Sequence, residues 1–176
     1  MPVGEVAQGR GNGVWMPYTD YISERHHPMT ATTFAQFAAE QDARNTVQIN
    51  VLKNCYMLCD ALVQNYHDYA IRGHQQYVDR GENVDYHLSC IEKLKAGTSP
   101  INYVIESGKK YHKIIMVDGG SSRSVHAFVD KKTGEVYKSA SWKAPAKGVR
   151  YDLRLIKDRE YLLENADWAG GYLYAR

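Results

Sequence analysis

Between Lys109 and Arg154, cations alternate with aromatic rings in a pattern suited to chemistry on a phosphate polymer. Lys110, Lys113, Arg123, Lys131, Lys132, Lys138, Lys143, Lys147 and Arg150 supply positive charge, and Trp142 lies among them. Tyr111, Phe128, Tyr137 and Tyr151 are interleaved. Ammonium and guanidinium groups neutralise phosphates, and exposed rings stack on bases, the usual recipe for a single-strand binding surface. This segment holds eleven Lys/Arg against four Asp/Glu, whereas the rest of the chain holds eleven against sixteen. The formal net charge of +2 therefore conceals one basic face and an acidic body. Lysines in hairpin turns and edge strands can also serve only to stay solvated and to block edge-to-edge pairing, so both readings stand at this point.

His126 is the candidate general base, a mid-strand imidazole with Ser139 expected opposite and Asp118, Arg123 and Asp130 nearby in sequence. No nucleophile elbow, P-loop, dinucleotide fingerprint or HExxH zinc motif accompanies it. A histidine in a strand is commonly structural, so no catalytic residue is assigned and the chain reads as non-enzymatic. Cys55 and Cys59 stand four apart, and His87 and Cys90 three apart, so two helix faces could offer four ligands to zinc. Both Cys55 and Cys59 also fall near an apolar stripe, where burial is the simpler account, and no metal or cofactor is expected. An odd cysteine count points to reduced thiols and not to a disulfide framework. His26-His27 beside Pro28 has no partner at ligand spacing.

These side chains need a scaffold, and periodicity suggests one. Residues 1–29 form a Gly-rich arm, with Gly9, Gly11 and Gly13 and the apolar group Val14, Trp15, Met16 and Tyr18. Residues 30–97 read as helical. Thr30, Thr32 and Thr33 are candidate N-caps. Phe34, Phe37, Ala38, Val51, Leu52, Cys55, Leu58, Leu62, Tyr66 and Tyr69 then recur at steps of three and four. The spacing predicts either one helix over 31–71 or two in sequence, with Gly73 as the stop. A second helix follows around Val84, Leu88, Ile91 and Leu94, ended by Gly97. Residues 98–156 change to period two, with strands predicted at 101–105, 111–117, 124–129, 135–142 and 151–156. Asp130-Lys131-Lys132-Thr133-Gly134 has the chemistry of a hairpin turn closed by a left-handed glycine. That turn sets Phe128 opposite Tyr137 and Val129 opposite Val136. Val125, Ala127, Val129, Val136 and Ala140 then form a core face, on which Lys138 is a misfit able to snorkel to the edge. Residues 157–176 supply a short helix near 158–165 and a closing strand at 172–174. The sum is one α+β domain over 30–176, with a helical N-terminal half packed on a small antiparallel β-meander.

Three stretches carry a resemblance: RSVHAFVD with TGEVYK over 123–138, ASWKAPAKGVRY over 140–151, and ADWAGGYLY over 166–174. Together they resemble a group of small tailed-bacteriophage proteins whose function is unknown. The likeness covers about residues 109–176 and leaves the helical half without a counterpart. It implies a phage origin and a working life in the host cytoplasm, and it carries over no site residue.

The expected function is that of a non-enzymatic phage accessory protein binding a host macromolecule. Nucleic acid bound through the basic meander is the more specific form, and a host protein the less specific one. A small enzyme using His126 is the other reading. No secretory leader is expected after MPVGEVAQGRGNGVW, and no run reaches the roughly 18 apolar residues of a membrane span. A homodimer through the long helix is a further expectation.

Overall fold

Apolar residues at steps of three and four make the longest element a helix. A computed structural model describes residues 34–174 of the chain, so the Gly-rich arm and the threonine N-caps lie outside the described residues. Helix α1, Phe34–Asp79, is one uninterrupted element of 46 residues. It does not stop at Gly73. A glycine inside a helix costs only about 1 kcal/mol, and the turns beyond it carry His74 and Tyr77, which pack on His87 of helix α2, Val84–Lys95. Asn83 and Gly81, both at positive φ, reverse the chain between the two helices. Gly97, with φ of 86°, follows α2 as expected.

The sheet is a five-stranded antiparallel meander in the order β1-β2-β3-β4-β5. Its strands are β1 Ile101–Ser107, β2 Tyr111–Asp118, β3 Ser122–Asp130, β4 Glu135–Lys138 and β5 Tyr151–Asp152. Phe128 pairs with Tyr137 and Val129 with Val136, the register that the Asp130–Gly134 turn imposes. In that turn the Asp130 carboxylate accepts from the backbone N–H groups of Lys132 and Thr133, at 2.9 and 3.1 Å. Gly134 closes it with φ of 72°, and a Cβ there would lie 3.1 Å from Arg154 Cγ and 3.3 Å from Val51 Cγ2. Only a residue without a side chain lets the hairpin sit this close to α1.

Strand β4 is shorter than expected, because Ser139 leaves the ladder to bridge Pro145. Ala140 is consequently exposed and is not part of the core face. The final strand keeps only two residues, and helix α3, Ile156–Asn165, begins at once. Residues 171–173 form a 3-10 turn in place of a closing strand, since Gly170 at φ 82° turns the chain.

The core lies between α1 and one face of the sheet. Val51, Cys55, Leu58 and Leu62 of α1 meet Ile114, Ala127, Val129 and Val136 of the sheet. Leu153, Leu162 and Leu173 complete the cluster. All of these residues except Leu173, at 1 % exposure, are fully buried. Each such leucine contributes about 1.5–3 kcal/mol by leaving water. Asn54 of α1 donates to the Leu153 carbonyl at 3.3 Å, and Asn65 accepts from the Trp168 N–H at 3.1 Å.

Candidate nucleic-acid interface

Strand alternation puts Lys113, Ile115, Arg123 and Phe128 on the face of the sheet away from α1. The chain after β4 loops back over this face and brings Trp142 to the two cations. Lys113 Nζ lies 5.5 Å from the indole centroid, and the Arg123 guanidinium 5.7 Å from it. Both are within cation–π range. The indole thereby spans the position of Ile115, which is fully buried although it points away from the core. Trp142 itself remains 42 % exposed. Arg123 is also ion-paired across β2 with Glu106 of β1, which fixes the guanidinium beside the ring. Next to this group, Tyr111 stands edge-on to Phe128 at 5.8 Å and to Tyr137 at 6.0 Å. The Tyr137 hydroxyl donates to Glu135 at 2.8 Å, and burial together with that carboxylate pushes its pKa up to about 12.

The other basic residues of this segment do not join that patch. Lys110, Lys131 and Lys132 gather at one end of the sheet, where Tyr111 pairs with Asp130. There Lys110 Nζ lies 3.8 Å from Asp130, and Lys131 Nζ donates to the Gly108 carbonyl at 3.4 Å. Lys138, opposite Ala127 on the core side, escapes to the edge and sits 4.5 Å from the Tyr174 ring centroid. Lys143 and Lys147 are exposed in the loop beside Trp142. Arg150 is structural, since its Nε donates to the Leu173 carbonyl at 2.7 Å and another guanidinium nitrogen to the Gly148 carbonyl at 2.9 Å.

The β3–β4 ladder runs to Ala127–Lys138, its next step sets His126 across from Ser139, and the two residues line one small cleft, although Ser139 itself bridges Pro145. Ile114 pairs with Ala127 but Ile115 with Val125, so His126 is the extra residue of a β-bulge. The bulge turns its ring toward Tyr103, edge-on at 5.3 Å, and sets Nε2 3.0 Å from the Tyr172 hydroxyl. Burial lowers its pKa to about 4, with the Asp167 carboxylate pulling weakly the other way. Asp167 is occupied in its own turn, accepting from the N–H groups of Ala169 and Gly171 at 2.9 Å each. A small cleft of about 230 Å³ reaches this imidazole past Ser124, Lys138 and Gly170.

Cys55 and Cys59 lie inside the core and do not converge with His87 or Cys90. Burial pushes both thiols up to about 12. His87 instead shares a 2.8 Å Nδ1–Nδ1 contact with His74 and stacks on Tyr77 at 4.6 Å. Among the described residues, no three His, Cys, Asp or Glu side chains gather as a metal site. None of the described helices is long and apolar enough to cross a membrane.

Residues 34–175 match the profile of a family of unknown function, DUF7717. No curated protein and no solved structure matches the chain.

Proposed function

The chain belongs to the DUF7717 family, and we propose that it is a non-enzymatic, phage-encoded accessory protein that binds single-stranded nucleic acid in the host cytoplasm. The observation that carries this reading is the exposed Trp142 ring held on the open face of the sheet beside Lys113 and Arg123. A base stacked on that indole places its flanking phosphates near the two cations, with Lys143 and Lys147 adjoining. Base–aromatic stacking contributes about 1–3 kcal/mol and tolerates any sequence. The phage origin rests on the resemblance of 123–151 and 166–174 to phage proteins. The proposed tie to His126 catalysis is weaker, because the imidazole nitrogen facing the core already has Tyr172 as its partner.

The test is titration of a labelled oligo-dT while Trp fluorescence and anisotropy are followed at several salt concentrations. Quenching, a Kd that weakens steeply with salt and a loss of about tenfold in Trp142→Ala are the expected results. An oligonucleotide that is not retained at low salt refutes the reading.

A further inference from the structure

Two clefts run side by side along α1 at the end of the sheet marked by the Asp130–Gly134 turn. The first, about 570 Å³, is lined by Arg44, Gln48, Lys132 and Arg154 among others. The second, about 500 Å³, shares Val47 and Arg154 with it and adds Lys53, Asn54 and Arg159. Five cations from four separate parts of the chain thus border one continuous groove. Arg44 and Lys53 lie nine residues apart, half a turn round α1, so the two clefts take their helix cations from different sides of it and meet at Val47 and Arg154.

The balance of charge in the groove stays positive. Arg44 pairs with Glu40 at 3.4 Å and Arg154 with Asp152 at 3.1 Å. Among the described residues no ion pair engages Lys53, Lys132 or Arg159. The Arg44–Glu40 pair has both side chains more than half exposed, so a phosphate can replace the carboxylate at little cost. Asp130 and Glu135 also act on Arg154. Asp130 accepts from backbone N–H groups and Glu135 from the Thr133 and Tyr137 hydroxyls, and both keep their charge, so the five cations against Glu40, Asp152, Asp130 and Glu135 leave a surplus of one. Gln48 and Asn50 add amides able to donate to phosphate oxygens. Spread over positions 44, 53, 132, 154 and 159, this set has no signature in linear sequence.

We infer that the groove along α1 is a phosphate track that holds the backbone of a bound nucleic acid, a second contact beyond the ring surface at Trp142. The assignment rests on the nucleic-acid reading above and adds the surface that would supply most of the salt-dependent affinity. The phosphodiester is recognised as a charge and not as a base, so the track is indifferent to sequence.

The experiment compares the wild type, Lys53→Glu/Lys132→Glu and Trp142→Ala, with circular dichroism verifying the fold of each. Both lysine side chains are exposed and neither makes a hydrogen bond through Nζ among the described residues, so the double variant keeps its structure. The expected result is an affinity for oligo-dT reduced at least about tenfold, with the slope of log K against log salt shallower by about 1.4. Unchanged affinity and slope in the double variant, alongside weakened binding in Trp142→Ala, overturns the groove and leaves the ring surface standing. If the wild type binds no oligo-dT, inorganic polyphosphate decides the matter. Polyphosphate binding that the double variant loses keeps the track without the bases, and no polyphosphate binding ends it.

Discussion

His126 offers a direct measurement of how the bulge in β3 is packed. Its ring is held against Tyr103 and Tyr172, and burial lowers its pKa from 6.5 to about 4. The unfolded chain takes up this proton near 6.5 and the folded protein only near 4. Between those values the unfolded state holds more protons, so stability is complete above the upper value and falls as the solution is acidified. The full difference amounts to about 3 kcal/mol, of which about 2 kcal/mol is lost on going from about pH 8 to about pH 5. His126→Gln keeps a hydrogen-bonding partner for Tyr172 and removes the titration. Urea unfolding of both proteins across this range should give a steeper acid loss for the wild type by that amount. His112, also lowered by burial, contributes equally to both proteins and cancels in the comparison. Parallel pH profiles, or a folded-state imidazole resonance titrating near its ordinary value, would refute the packing argument.

Three further outcomes follow from the packing. Leu58→Ala opens a cavity at a residue with no exposure and should cost about 2–5 kcal/mol in urea unfolding. Arg150→Ala removes two short hydrogen bonds that hold the 148 and 173 carbonyls, so faster limited proteolysis after residue 165 and a loss of about 1.5–3 kcal/mol are expected. Cys55 and Cys59, with thiol pKa values near 12, should resist an aromatic disulfide reagent at mild pH, while the partly exposed Cys90 reacts first. Equal reaction of all three thiols in the folded protein would contradict the core position of α1.

The α+β class and most of the sheet were legible because local chemistry determines them. Asp130 and Gly134 fix one turn, and that turn alone dictates the Phe128–Tyr137 register. The apolar stripe at Val51, Cys55, Leu58 and Leu62 needs only helical spacing to find its face. The misses have nonlocal causes. Gly73 reads as a stop until His87 and Tyr77 are brought together by a second helix. The bulge at His126, set in the β2–β3 ladder, leaves no mark in sequence. Lysine spacing says nothing about which end or face of a sheet each charge reaches, so Lys113 and Arg123 part company with Lys131 and Arg150. Arg44, Lys53 and Arg159 lie outside the basic 109–154 segment, and only the packing of α1 and α3 against the hairpin turn brings them near Lys132 and Arg154.

The closure of the core by Leu153, Leu162 and Leu173 also constrains how the protein is made. Asn54 and Asn65 of α1 bind backbone atoms of Leu153 and Trp168, about a hundred positions downstream. The helix and strands β1–β4 are synthesised before any of those residues. At roughly 5–20 residues per second, the apolar stripe of α1 waits about ten seconds for its last partners. During that interval the nascent chain displays an open helix face, and the residues after 150 act as the latch that ends its exposure.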